Sequence, residues 1–255
     1  MLSAQSMATS QSSAGVANPK TSKCAYWLPA HVFVCWPANA VLLDLKRNRY
    51  FGLPLPESEE LQRLLSPGAA VIDGKAGETS RSLAHELLES GLLLREPPTA
   101  QIVPGSAHLD GDLTSFGYER RRSVAVRAHH VANHARACTW ARFAVSLRSF
   151  YSVACEVSDR KHAKSNGRTT IDTEQLLELV SAFQQLRALT FTSKEKCLFH
   201  ALALTRFLSW YDVFPTWAIG VRTTPWAAHS WVQYEHLLLD ATPEHVVDFT
   251  PILCI

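Results

Sequence analysis

The chain of 255 residues lacks several features that would assign it quickly to a class of protein. It has six cysteines but no CxxC pair, which does not fit a disulfide-rich scaffold. It also has no apolar run of about 18 residues, so no membrane-spanning helix is expected. A net charge of +2 gives little attraction for nucleic acid or an acidic membrane. We therefore expect a cytoplasmic protein with reduced thiols and with neither nucleic acid nor membrane as a partner.

Residues 1–23 are rich in Ser, Ala and Gln and lack the apolar segment of a secretory signal. With so little apolar surface to bury, they are predicted to form a disordered tail. From residue 24 the composition changes. The stretches "HVFVCW", "VLLDL" and "YFGLP" predict three strands separated by turns, and "PESEELQRLL" and "SRSLAHELLES" predict two helices. Residues 24–95 thus predict one small unit of strands followed by helices.

Residues 96–119 contain three prolines and three glycines with weak periodicity, which predicts a linker or a loosely packed crossover. Residues 120–155 predict a long helix with seven arginines and no acidic residue. A helix near "TEQLLELVSAFQQL", another from residue 197, the strand "PTWAIGV" and a hairpin follow. Residues 120–255 therefore predict a second unit with helices first and antiparallel strands last, and the chain as a whole predicts an α+β fold.

A cysteine stands at the predicted start of the helix "CLFHALAL". Thr192 and Glu195 fit a capping box, which places Cys197 in or near the first helical turn. The partial positive charge there favours a thiolate, and Lys194 and Lys196 add to it. A buried cysteine in an apolar helix is more often packing than chemistry, so Cys197 needs partners to count as a nucleophile.

The predicted hairpin offers those partners. "AAHSWVQ" carries His229, and "LLLDA" brings back Asp240 if the chain turns near residues 234–236. Cysteine, histidine and aspartate in this order are a thiol nucleophile, its general base and the acid that orients the base. The alternative is a set of structural residues on a core helix and two strands.

These residues also carry a family resemblance. The stretch from Cys197 to Asp240, with its Cys-Leu helix start, its "IGV" strand and its "AHSWV" run, resembles the transglutaminase-like cysteine leader peptidases of lasso-peptide biosynthesis, the B proteins. The resemblance implies a transglutaminase- or papain-like cysteine protease domain. It implies Cys197 as nucleophile, His229 as general base and acid, and Asp240 as the orienting residue.

The N-terminal unit resembles the PqqD-like winged-helix elements that bind leader peptides. This similarity rests on the order of strands and helices and on the "RNRYFGLP" run. It implies that a leader peptide adds as a strand beside the third strand and against the last helix. The candidate leader-binding residues are Tyr50, Phe51 and Leu53 on the strand, and Leu83, His85 and Leu87 on the helix.

Together the two resemblances imply a peptidase that binds the leader of a ribosomally made precursor and hydrolyses the bond between leader and core. They imply no cofactor, and they imply a separate ATP-dependent, asparagine-synthetase-like cyclase that takes the core peptide. Two alternatives remain open, which are acyl transfer of the transglutaminase type and a peptide-binding adaptor without catalysis. Residues 1–95 hold nine basic and eight acidic residues, which argues against DNA as the ligand.

Two other patterns are weaker. His130, His134 and Cys138 form one helical stripe, but three ligands among arginines with no carboxylate favour a helix face over a metal site. His200, three residues after Cys197, is more readily explained by packing than by tuning of the thiol. The arginines of residues 120–150 predict a solvated face, with docking of a peptide or partner as the alternative.

Overall fold

The computed structural model describes residues 26–66, 78–99, 113–116, 124–165, 171–190 and 197–255. Its helices are α1 (Leu55–Leu65), α2 (Glu78–Glu89), α3 (Ala128–Leu147), α4 (Phe150–Ser165), α5 (Thr173–Thr190), α6 (Cys197–Ser209) and α7 (Pro243–Val246). Its strands are β1 (Val32–Cys35), β2 (Val41–Asp44), β3 (Arg49–Gly52), β4 (Thr114–Ser115), β5 (Thr216–Thr223), β6 (Trp226–Tyr234), β7 (Leu237–Leu238) and β8 (Thr250–Cys254). Within these ranges no helix is long and apolar enough to cross a membrane.

The first sheet has the order β1-β2-β3, with β2 antiparallel to both neighbours. The turn into β3 is held by the Asp44 carboxylate, which accepts hydrogen bonds from the backbone N–H groups of Lys46 at 2.9 Å and Arg47 at 3.1 Å. Helices α1 and α2 follow. This confirms the predicted order of three strands and then helices in the N-terminal unit, and with it the α+β class.

The central strand β2 is buried on both faces, as its unbroken apolar sequence predicts. On one face Leu42 packs with residues of α1 and α2, including Leu61 and Leu83. On the other face Val41 and Leu43 belong to a core that also contains α3, α4, α5, α6 and β5. The two predicted units therefore pack on each other through a shared apolar core. Their boundaries at residues 95 and 120 stay a prediction.

The second sheet has the order β4-β7-β6-β5-β8. Strands β5 and β6 form a long antiparallel hairpin in which Gly220 lies opposite His229, and β8 pairs antiparallel with the other side of β5. Helix α6 is the most deeply buried helix near this sheet, since all its residues from His200 to Leu208 except Arg206 are buried. The helices-first, strands-last order of the C-terminal unit is confirmed.

The described part of residues 96–119 includes more than a linker. Strand β4 lies within it and pairs in parallel with β7, where Thr114 lies opposite Leu237. The backbone N–H groups of Thr114 and Phe116 donate to the carbonyls of His236 and Leu238 at 3.1 and 2.8 Å. So short a strand has no periodicity that a sequence can reveal, and it forms because the edge of β7 offers unpaired backbone groups.

The helix predicted over residues 120–155 needs a correction. Residues 124–127 are not helical, and the helix is broken into α3 and α4 at Arg148 and Ser149. Arg148 is extended at φ −110° and ψ 152°, and the Ser149 hydroxyl accepts a hydrogen bond from the N–H of Ser152 at 3.2 Å. Ser149 caps the start of α4, and the apolar residues on both sides of it still follow a helical period. The sequence pattern therefore does not reveal that the helix is interrupted there.

Candidate active site

The described helix α6 begins at Cys197, and its thiol is partly exposed. The prediction that this residue lies in a first helical turn is thus consistent with the structure. The predicted capping residues Thr192 and Glu195, and Lys194 and Lys196, lie outside the described residues. Below Cys197 the helix is anchored by its buried apolar residues, which fix the position of the thiol relative to the sheet.

Tyr50 on β3 packs against the core that the two units share. Its ring packs edge-on against the Trp226 ring with centroids 5.6 Å apart. The pKa of Tyr50 is raised to about 12, mainly because its hydroxyl is buried and further because a negative charge on Cys197 opposes a second one nearby. Strand β3 of the first sheet therefore contacts β6 of the second sheet through Tyr50 and Trp226, which sequence reasoning did not foresee.

The backbone of β3 has one side open. Leu53 N–H donates to the Ala40 carbonyl at 2.9 Å, so these two residues form a hydrogen-bonded pair. In an antiparallel ladder such pairs alternate, which directs the backbone groups of Phe51 toward β2 and those of Tyr50 and Gly52 away from it. In the described part of the chain β3 pairs with β2 alone, and the outward groups of Tyr50 and Gly52 form an open edge.

His229 lies in β6 among aromatic rings. Its imidazole stacks on Trp231 with centroids 6.1 Å apart and 15° between planes, and it lies 5.4 Å from the Phe249 ring. Burial lowers the pKa of His229, and a charge on His245 lowers it further. The imidazole is therefore held neutral near pH 7, which is the state that a general base requires.

The carboxyl of Asp240 lies one strand away. Glu235 and His236 form the turn between β6 and β7, as predicted, and Leu239 N–H donates to the Val232 carbonyl at 2.9 Å. The Val232 N–H donates its hydrogen bond to Asp240 Oδ1 at 2.8 Å instead of to the backbone of Leu239. Continuation of the register places Asp240 opposite Trp231, inside the range that the sequence predicts.

Burial raises the pKa of Asp240 to about 7, against an ordinary value of 3.8. The hydrogen bond from Val232 and the charge of Arg187 act in the opposite direction and offset only part of the effect. A partly buried carboxyl that titrates near neutrality is typical of functional sites.

No hydrogen bond joins Cys197, His229 and Asp240 to one another in the described residues. His229 shares its face of β6 with Trp231, whereas the core residues of α6 pack with the face that carries Val232. The structure therefore places the imidazole and the α6 core on opposite faces of β6, and it does not bring the thiol and the imidazole together as a pair. Catalytic contacts are often long before substrate binds, so the roles of the three residues stay a prediction.

A glycine makes room for the imidazole and its neighbours. A Cβ at Gly220, opposite His229, would come within 2.9 Å of the Trp231 ring and of Phe249 Cβ. The sequence offered a signal in the "IGV" strand, where a glycine interrupts an apolar run, because such a glycine marks a close approach. The packing partner itself could not be read from the chain.

The candidate leader-binding residues divide between core and surface. Leu83 and Leu87 are buried in the core of the N-terminal unit, and Phe51 and Leu53 pack against it. His85 points to solvent, with its Nδ1 3.4 Å from Glu89 Oε2. Whether these residues bind a peptide stays a prediction.

The histidine stripe of α3 shows packing. His134 is buried, contacts the Phe183 ring and lies with its Nε2 3.7 Å from Cys138 Sγ. Burial raises the pKa of Cys138 to about 11, so the thiol stays protonated. Among the described residues no group of three or more His, Cys, Asp and Glu side chains is arranged to hold a metal ion.

Residues 138–254 match the family model described as the transglutaminase-like superfamily. The matched region includes Cys197, His229 and Asp240. No curated protein and no solved structure gives a significant match to the chain. Residues 138–254 are thus similar to the transglutaminase-like superfamily, which includes cysteine peptidases and transglutaminases.

Proposed function

We propose that the protein is a cysteine peptidase that cleaves a peptide held at the open edge of β3. The observation that carries this proposal is the match of residues 138–254 to the transglutaminase-like superfamily, with Cys197 at the described start of a buried helix. The Tyr50 ring on β3 packs against Trp226, which lies three residues before His229 in β6, so the proposed peptide-binding strand contacts the strand of the proposed base.

The open edge suits an extended peptide. The outward N–H and C=O groups of Tyr50 and Gly52 can pair with the main chain of an added strand, as in other cases of strand addition. Main-chain pairing supplies affinity that does not depend on the amino-acid sequence of the peptide. Selectivity would come from the partly exposed side chains beside the edge, among them Phe51 and Leu53.

The shared core changes how the two units act together. A flexible tether would only raise the local concentration of the peptide. Residues Val41 and Leu43 instead pack with the helices of the C-terminal unit, and Tyr151 N–H donates to the Leu45 carbonyl at 3.0 Å. A peptide bound at β3 is therefore held at a fixed place relative to Cys197, which favours the alignment of its scissile bond.

The reaction follows from the groups present. The Cys197 thiol gives its proton to His229, and the thiolate attacks the carbonyl carbon, so that a C–S bond forms and the electron pair of the C=O bond moves to oxygen. The intermediate collapses, the C–N bond breaks, and the amine leaves with the proton from the imidazolium. Water then hydrolyses the thioester to release the acid and restore the thiol. Asp240 orients the imidazole in this scheme.

We further propose that the substrate is the leader-containing precursor of a lasso peptide. The support is the sequence resemblance of residues 197–240 to leader peptidases and of the N-terminal unit to leader-binding elements. A cyclase of the asparagine-synthetase type would then take the core peptide. This scheme needs no cofactor in the protein itself.

Acyl transfer is the second candidate, because a thioester can be attacked by an amine instead of water. The superfamily of residues 138–254 includes enzymes of both kinds. The two reactions differ in one product, since hydrolysis yields a carboxylic acid and transfer yields a new amide.

The test uses the short peptides encoded beside the gene together with a mixed-sequence peptide library. Incubation with the full chain, with and without glycine ethyl ester, is followed by mass spectrometry. We expect cleavage to a free acid, its loss in Cys197→Ala, and its retention in Cys155→Ala, which alters another partly buried cysteine. Cleavage that survives in Cys197→Ala would refute the mechanism, and products that carry glycine ethyl ester would identify acyl transfer.

A further inference from the structure

A pocket lies beside the C-terminal half of α6, away from the candidate active site. It holds about 290 Å³ of empty space, part of it open to solvent, and residues of α3, α4, α6 and the segment before β5 line it. Thr205, which is among them, follows Cys197 by more than two turns of α6, or about 12 Å along the helix axis. None of the residues that line the pocket takes part in the proposed catalysis.

We propose that this pocket binds a phosphate or carboxylate group that is attached to an apolar body. The two groups share the chemistry that the pocket recognises, which is a negative charge on oxygen atoms that accept hydrogen bonds. The ligand would be a second one besides the peptide cleaved at Cys197. The inference therefore goes beyond the proposed peptidase function and does not depend on it.

Two unpaired polar atoms belong to residues that line the pocket. The Thr205 side chain is only 7% exposed, and its Oγ1 has no hydrogen-bond partner among the described residues. Arg206 Nε is also buried and also lacks a partner there. The great majority of buried polar atoms in folded proteins are hydrogen-bonded, so two unpaired donors at neighbouring positions need an explanation. A bound group that accepts hydrogen bonds from both donors supplies one.

The cations of the pocket are held in place by aromatic rings. The Arg206 guanidinium lies over the Trp140 and Trp210 rings, at 5.8 and 4.5 Å from their centroids. The Arg160 guanidinium lies over Trp140 at 5.3 Å, and Lys161 Nζ donates to Thr216 Oγ1 at 3.1 Å. A guanidinium that stacks on a ring keeps its N–H groups in its own plane, where they can bind the oxygens of a carboxylate or a phosphate.

The charges around Arg206 leave an excess of positive charge. Burial lowers the pKa of Arg206, and the charges of Arg160 and Arg136 lower it further, whereas Glu156 acts in the opposite direction. Both carboxylate oxygens of Glu156 already accept hydrogen bonds, one from Arg148 and the other from Arg160 and from Trp140 Nε1. An anion in the pocket would therefore relieve repulsion that Glu156 does not balance.

The rest of the lining indicates what carries the anionic group. Trp140, Val157, Phe214 and Pro215 supply apolar surface beside the cations. A free inorganic anion would leave this surface uncovered, whereas an apolar body attached to the anion would bury it. Ligand sites commonly combine a mainly apolar lining with a few polar groups that fix the orientation of the ligand.

The test is isothermal titration calorimetry of the full chain near neutral pH with phenyl phosphate, 3-phenylpropionate and inorganic phosphate. We expect at least one of the two aromatic probes to bind with a Kd below about 1 mM, and more tightly than inorganic phosphate. The tighter of the two identifies the group that the pocket prefers. Thr205→Val and Arg206→Lys should each weaken that probe about ten-fold or more, because each removes a hydrogen bond to a charged group.

The controls are Thr139→Val and Arg142→Lys, which make the same two changes at exposed positions of α3 and should keep wild-type affinity. Cys197→Ala should keep it too, whether or not the protein is a peptidase. Ligand-free Thr205→Val should melt no lower than wild type, because its hydroxyl has no partner to lose. The proposal would be overturned by the absence of saturable binding of both aromatic probes, by full affinity in Thr205→Val and Arg206→Lys, or by an equal loss in the exposed controls.

Discussion

Replacement of Asp240 by asparagine should make the folded protein more stable while it removes activity. Asparagine has the same shape, and its side-chain oxygen can still accept the hydrogen bond that Val232 N–H donates to Asp240 Oδ1 at 2.8 Å. The change therefore removes one buried negative charge and little else. Its effect on folding follows from the pKa of the carboxyl.

The expected size can be worked from the pKa of about 7 in the folded protein and the ordinary value of 3.8. A raised acid pKa means that the folded state holds its proton where the unfolded chain has lost it, so stability falls as pH rises from 3.8 to about 7. Compared with a neutral side chain, the charge lowers the free energy of unfolding by about 1.5 kcal/mol at pH 5 and by about 4 kcal/mol at pH 8. The partial exposure of Asp240 makes these upper limits.

The measurement is the free energy of unfolding in urea for wild type and Asp240→Asn at both pH values. The stability gained by the variant should be larger at pH 8 than at pH 5 by about 1 to 2.5 kcal/mol. Differences between the two side chains that do not depend on pH cancel in this comparison. Asp248→Asn, which alters an exposed aspartate near the same sheet, should show no such change. A gain that is equal at both pH values would refute the idea of a destabilised carboxylate.

The same variant separates stability from function. If Asp240 orients His229, its loss favours the wrong imidazole tautomer and peptide cleavage should fall severely. A residue that destabilises the folded state and is needed for the rate of catalysis is typical of a functional site. Full activity in Asp240→Asn would instead leave the carboxyl without a catalytic role.

Three further predictions concern packing and the open edge. Gly220→Ala should cost about 1 to 3 kcal/mol of unfolding free energy and slow cleavage, because its Cβ meets the Trp231 ring and Phe249 at 2.9 Å; urea unfolding and a cleavage assay test this, and unchanged values would contradict it. Gly52→Pro should abolish peptide binding by removing an outward N–H, whereas Gly52→Ala, whose Cβ meets nothing within 4 Å, should not; fluorescence anisotropy of a labelled substrate peptide measures it, and equal affinities would move the binding site elsewhere. Leu43→Ala should lower the free energy of unfolding by about 2 to 5 kcal/mol, and the whole chain should still unfold in one cooperative transition. Separate unfolding transitions by circular dichroism and by tryptophan fluorescence would contradict a shared core.

Local patterns predicted the hairpin well. The turn at Glu235 and His236 and the return of Asp240 beside β6 follow from two apolar runs of known spacing. The capping box that predicts a helix start just before Cys197 lies outside the described residues, so that start stays a prediction. Such features depend on residues that are close in sequence, where strand pairing and helix periodicity leave few alternatives.

The relation between the two units could not be predicted in the same way. "VLLDL" indicates a strand that is buried on both faces, but it does not say what covers each face. That Leu42 packs with α1 and α2 depends on residues nearby in sequence, but that Leu43 shares a core with α4, α5 and α6 depends on residues more than a hundred positions away. The sequence therefore predicted Tyr50 as a strand residue for peptide binding and gave no sign that its ring packs against Trp226.

The shared core also decides how selectivity can arise. In two tethered units, recognition and cleavage would be tuned separately, and a change in the binding unit would alter only the affinity for the peptide. Here the strand at which we propose that a peptide pairs also packs against the core of the C-terminal unit through Tyr50. A peptide that pairs out of register would then place its scissile carbonyl away from Cys197. Register along β3 would then set the cleavage position, because a slip by one residue moves every side chain and every carbonyl of the bound strand.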